Sequence, residues 1–140
     1  MSTTKKKKTD RKKGKISWCH RTLVSAPIHY ALCTSEDAFN KEVKRLSYQY
    51  PIDWLGDGVK ACTHFFEADE GGTLAIVCIP VDIPYGMPEV AGLLAHEGMH
   101  VWQEVLKVTG EDKPSSEFEA YSVQHIVHNL MAAYLNHKQG

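Results

Sequence analysis

The sequence predicts an α+β protein, a small antiparallel or mixed sheet packed on helices. Three observations predict it. Apolar residues recur at helical spacing in "SEDAFNKEVKRL", in "AGLLAHEGMHVWQEVLK" and between Ser116 and Lys138. Two arms rich in β-branched and aromatic residues flank "DEGG" in "KACTHFFEADEGGTLAIVCIPV", the pattern of a β-hairpin. No internal repeat is visible, and 140 residues suffice for one domain with one modest core.

Taken in order, "SAPIHYALCTS" reads as a short strand around Ile28–Cys33. Ser35 caps the helix that follows, with acids in its first turn and Ala38, Phe39, Val43 and Leu46 on one face. "YPIDWLGDGV" is a turn-rich connector to the hairpin. "DIPYGMP" is a loop, and Pro88 suits the first turn of the next helix, which runs to about Val108 and stops at Gly110. A last helix begins near Pro114, Ser115 or Ser116. The predicted order is therefore β-α-β-β-α-α, a sheet layered against helices.

Hydrophobic residues make up 43% and charged residues 24% of the chain, a globular rather than a disordered balance. No run approaches the roughly 18 apolar residues of a membrane span. The basic start is not followed by an apolar stretch, so a secretory signal is not expected and a cytoplasmic location is. The net charge of −1 hides a split: residues 1–15 hold seven Lys and one Arg against Asp10, a net of +7, which leaves −8 for the rest. Residues 1–15 are expected to be a disordered basic tail, and 16–140 the folded domain. Such a tail can touch nucleic acid weakly by charge, although no aromatic residue interleaves its lysines to stack on bases.

Cysteines stand at 19, 33, 62 and 78, and none lies in a CxxC pair. That spacing indicates neither a zinc ribbon nor a thioredoxin-type site. Cys33, Cys62 and Cys78 have apolar neighbours and read as buried thiols. Trp18–Cys19–His20 offers two adjacent ligand types, a chance pairing on this reading.

The chemistry is concentrated in "AHEGMH". His96, Glu97 and His100 form HExxH inside an apolar helical run. Positions i and i+4 project from one face, so both imidazoles can reach a single ion, and neutral imidazole suits Zn²⁺. Glu97 can reach a water on that ion and take its proton, whose pKa the metal lowers toward about 7. Gly98 sits mid-helix at a cost of about 1 kcal/mol relative to Ala, which a close helix neighbour would explain. A catalytic zinc site needs a third protein ligand. Glu117, Glu119, His125 and His128 are the candidates. Glu117 is preferred because it stands in the first turn of the next helix, where a short connector brings it back and the helix dipole favours a carboxylate.

"HEGMH" followed by "EFEAY" resembles the gluzincin zinc metallopeptidases, and in particular small phage and bacterial metallopeptidases with an "LLAHE–xxH–VxQ" helix. The resemblance covers about residues 73–135. It implies a zincin-like active-site helix and a ligand-bearing C-terminal helix. His96, His100 and Glu117 would bind Zn²⁺, with Glu97 as the catalytic general base and a peptide or protein as substrate. Tyr121 stands where the family often has an Asp that orients a zinc-bound histidine. Glu119 would point about 160° away from Glu117 around the helix. The family also lays its substrate along an edge strand, for which "GTLAIVCIP" is the candidate. Tyr85, His125 and His128 are candidates for stabilising an oxyanion.

The function expected is therefore zinc-dependent peptide-bond hydrolysis. Two other classes stay open: a metal-binding or interaction module without catalysis, and a nucleic-acid-associated protein acting through its Lys-rich tail. The acidic body argues against broad nucleic-acid contact by the domain itself.

Overall fold

The computed structural model describes residues 15–19, 27–48, 51–68, 71–81 and 84–139. These form β1 (Ile16–Trp18), β2 (Ile28–Cys33), α1 (Glu36–Arg45), β3 (Cys62–Glu67), β4 (Thr73–Cys78), α2 (Met87–Thr109) and α3 (Ser116–Gln139). The α+β class holds, and the sheet is mixed. Its strand order is β1-β2-β4-β3, with β2 and β4 parallel and the two outer pairings antiparallel.

The expected elements form for the expected reasons. Ser35 accepts a hydrogen bond from the Ala38 amide at 3.2 Å and caps α1. The hairpin closes through Gly71 and Gly72, both at positive φ, where glycine meets no Cβ penalty. Gly110 ends α2 in the left-handed region, with the Glu111 amide bonded to the Leu106 carbonyl at 3.0 Å.

Two expectations need correction. The three-residue strand β1 was not among the expected elements, because it abuts the basic run and is too short for an alternation to show. "GTLAIVCIP" is not an edge strand. β4 is central, paired on both sides, and all six of its residues pack against the core or a neighbouring strand; β3 is the outer strand. A strand flanked on both sides reads as a continuous apolar run, and "LAIVCI" is one.

Strand alternation divides the core into two layers. Ile28, Tyr30, Leu32, Ala75, Val77 and Ile79 face α2 and α3 and meet Leu94, Val101, Trp102, Ile126 and Leu130. Cys33, Ile76, Cys78 and Phe66 face the other way, against Phe39 and Val43 of α1 and the connector residues Ile52, Trp54 and Leu55. The helices α2 and α3 pack closely at Gly98. A Cβ there would lie 2.9 Å from Val127 Cγ2, which accounts for the glycine in mid-helix.

The end of α3 is tied to the sheet by His137. Its Nε2 is 2.6 Å from the Ser17 hydroxyl and its Nδ1 2.8 Å from the Thr34 hydroxyl. Lys15 also belongs to this corner, its amide bonded to Thr34 Oγ1 at 3.0 Å. The remaining residues of the expected tail, 1–14, lie outside the described residues. Among the described residues no helix is long and apolar enough to cross a membrane.

Candidate catalytic helix and metal centre

The three residues of the HExxH motif occupy neighbouring faces of α2. Val90, Leu94, Gly98, Val101, Trp102 and Val105 are buried, and they fix which side of the helix meets the sheet and α3. His96 and His100, one turn apart, then fall on the exposed side. Glu97 falls at the boundary and is buried, 6% exposed, against β3.

The two imidazoles converge. His96 Nε2 and His100 Nε2 are 3.2 Å apart with the rings nearly perpendicular. Two nitrogens bound at about 2.0–2.1 Å to one tetrahedral ion stand roughly 3.3–3.4 Å apart, so the pair already has the bite of a zinc ligand pair. The other ring nitrogen of His100, Nδ1, is 3.0 Å from Gln103 Oε1. An amide oxygen accepts only, so Nδ1 carries the proton and Nε2 presents its lone pair. Gln103 is part of the "HVWQ" that follows the motif, and its role was not read from the sequence.

Glu97 is held by a residue that sequence reasoning missed. Thr63 Oγ1 donates to Glu97 Oε2 at 2.7 Å. Thr63 belongs to β3, and its side chain points to the α2 face because it stands one residue from Cys62 and His64, which point to the other. Glu97 Oε1 has no hydrogen bond among the described residues.

The candidates on α3 are less close. Glu117 is exposed in the first turn, and among the described residues no third imidazole, thiol or carboxylate joins His96 and His100 within 4.8 Å. Glu119, set aside on helical geometry, is the carboxylate turned to α2: its Oε2 accepts from the Trp102 indole at 3.0 Å. Tyr121 is 67% exposed. His125 is half-buried beside Asn129, which donates to the Tyr30 hydroxyl at 2.8 Å, and His128 is exposed. Tyr85 packs the loop before α2, with the Lys60 ammonium 5.1 Å from its ring centre. Of the Trp18–Cys19–His20 pairing, His20 lies outside the described residues.

The fold gathers a second set of ligand-type side chains, one the sequence did not suggest. The ligand atoms of Cys62, His64 and Cys78 all lie within 4.8 Å of one another, a group that can hold a metal ion. Cys62 and His64 are alternate residues of β3 and so share a face, and Cys78 is the register partner of Cys62 on β4. The expectation of buried thiols holds at Cys33 and Cys78, but Cys62 is half-buried with its Sγ 3.3 Å from His64 Nε2. A hydrogen bond from Cys78 pushes the Cys62 thiol down, as does the neighbouring His64. Burial pushes Cys78 up. Burial disfavours charge on His64, but its hydrogen bonds to Cys62 and the Trp54 carbonyl outweigh that and raise it. The spacing "CTH" was the available signal, legible only once Cys62 is known to lie on a strand.

No protein-family model, curated protein or solved structure matches this chain.

Proposed function

We propose that this protein is a zinc-dependent peptide-bond hydrolase of the HExxH type, with His96, His100 and Glu117 as metal ligands and Glu97 as general base. The observation that carries the reading is the 3.2 Å separation of the two Nε2 atoms, one residue from a buried carboxylate. Zinc, when bound, supplies Lewis acidity and lowers the pKa of water toward about 7.

The chain's own residues supply the rest. Gln103 accepts from His100 Nδ1 and leaves Nε2, which faces His96, as the ligand nitrogen. Thr63 occupies one oxygen of Glu97 and leaves the other for a proton. The outer strand β3 runs beside α2, and a peptide can add to such a strand by main-chain hydrogen bonds. This supports a peptide rather than a small-molecule substrate. Phe65, 40% exposed on the same face as Thr63, offers an apolar surface beside it.

A second reading, a metal-binding module without hydrolysis, is favoured by the exposed position of Glu117. Glu97→Gln and His96→Ala separate the two. Under the hydrolase reading Glu97→Gln keeps its zinc and loses peptidase activity by the roughly 10²–10⁴ that general-base catalysis contributes. His96→Ala loses zinc from this site and activity together. If Glu97→Gln loses zinc as readily as His96→Ala, Glu97 is structural and the hydrolytic reading fails.

A further inference from the structure

We propose that Cys62, His64 and Cys78, with Cys33 as fourth ligand, form a buried structural zinc site separate from the HExxH helix. The four residues come from three adjacent strands. Cys33, Cys78 and Cys62 stand in one row across β2, β4 and β3, because Cys33 pairs with Cys78 and Cys78 with Cys62 in the strand register. All three therefore point to the α1 face, and His64, two residues after Cys62, points there too.

The chemistry of the row is that of a soft divalent cation. A tetrahedral zinc with sulfur at about 2.3 Å and nitrogen at about 2.05 Å places its ligand atoms roughly 3.5–3.8 Å apart. Cys62 Sγ and His64 Nε2 are 3.3 Å apart, and Cys78 Sγ lies within 4.8 Å of both. Cys33, the register partner of Cys78, stands next in the row and donates through Sγ to the Ser35 carbonyl at 3.3 Å; a rotation that gives up this bond would turn its sulfur toward the other three. The Trp54 carbonyl stands 3.2 Å from Cys62 Sγ and 3.0 Å from His64 Nε2. Two donors thus converge on one oxygen; loss of the Cys62 proton, with His64 in its Nδ1–H tautomer, would present a thiolate and an imidazole lone pair side by side.

The surroundings distinguish a structural from a catalytic site. Cys33 and Cys78 are wholly buried, and Phe39, Phe66 and the connector residues Ile52, Trp54 and Leu55 close over the row. A site closed by protein ligands and packed under apolar side chains has the character of a structural zinc rather than a catalytic one. The ion would tie the outer strand β3 to the centre of the sheet and pin the 51–61 connector. It would do so on either side of Thr63, whose own side chain holds Glu97. That last consequence rests on the hydrolase reading; the site itself does not.

The test uses the full chain carrying His96→Ala and His100→Ala, which removes the other candidate site. Purified under reducing conditions, this variant is expected to hold one zinc per chain by elemental analysis. Replacement by cobalt is expected to give the intense near-ultraviolet absorption of thiolate-to-cobalt charge transfer. Cys62→Ser in that background is expected to abolish both. Cys33→Ser is expected to weaken the charge-transfer band, and an unchanged band removes Cys33 from the ligand set. Should Cys62→Ser not fold, the parent protein still decides: chelation is expected to lower its melting temperature, and zinc to restore it. Absence of metal with all four thiols free overturns the proposal, and so does a Cys62–Cys78 disulfide in the reduced preparation. Zinc at this site with no peptidase activity in the wild type would defeat only the hydrolase reading.

Discussion

Thr63 on β3 and Glu97 on α2 are joined by a 2.7 Å hydrogen bond that links the outer strand of the sheet to the centre of the HExxH motif. It gives a buried carboxylate a hydrogen-bond donor. Leaving such an acceptor unpaired costs about 1–3 kcal/mol. Thr63→Val keeps the shape and removes the donor. It is expected to lower stability by about that amount and to reduce peptidase activity, while Thr63→Ser retains most of both. Denaturant melts and peptide turnover check this. Equal behaviour of the two variants would mean that the hydroxyl is not what matters.

Gly98 gives a prediction in which helix propensity has the wrong sign. Alanine is better than glycine in a helix by about 1 kcal/mol. Yet a Cβ at Gly98 would stand 2.9 Å from Val127 Cγ2, with Ile126 and Leu130 close behind. Overpacking costs typically 1–3 kcal/mol. Gly98→Ala is therefore expected to destabilise, and Val127→Ala in the same chain to recover part of the loss. A more stable Gly98→Ala would show that α2 and α3 separate freely.

Glu117 and Glu119 are predicted to differ in kind. Glu119 accepts from the buried Trp102 indole, so Glu119→Ala is expected to cost about 1–2 kcal/mol of stability. Glu117 is exposed and bonds nothing in the described structure, so Glu117→Ala is expected to change stability by less than about 0.5 kcal/mol. Glu117→Ala is expected instead to weaken zinc binding at His96 and His100. Zinc titration of both variants in a Cys62→Ser background reads this, and unchanged affinity in Glu117→Ala would remove it as third ligand.

His137 makes stability depend on pH. Burial, with Lys15 nearby, lowers it from 6.5 to about 4. Its neutral form is satisfied on both nitrogens: Thr34 donates to the Lys15 carbonyl and so accepts from Nδ1, and Ser17 donates to Nε2. Between these two values the unfolded chain binds a proton that the folded chain does not. The contribution is thus whole above pH 6.5 and is lost as pH falls toward 4. His137→Gln, which cannot titrate, is expected to show a shallower decline in melting temperature over that window. Parallel profiles would remove His137 as the cause.

How much was legible in the sequence differs from element to element. The helix bearing His96, Glu97 and His100 was readable because a 3.6-residue period and an i, i+4 spacing are local properties. So were the Ser35 cap, the Gly110 stop and the glycine hairpin, each of which follows from the conformational preferences of one or two residues. The need for a close neighbour at Gly98 was also implied by the missing side chain. What the sequence could not rank was β3 against β4. Both read as strands, and only the pairing of β4 with β2, some 45 residues earlier in the register that joins Ile28 to Thr73, puts β4 in the centre and β3 outside. The partners of the site share that non-local origin. Thr63 meets Glu97 across 34 positions of the chain, and His137 meets Ser17 across 120. Cys33, Cys62 and Cys78 are unrelated by any motif spacing, and become one row only when three strands settle into register. Periodicity and capping are written residue by residue; strand order and the meeting of distant side chains are set by which arrangement buries both faces of the sheet at once.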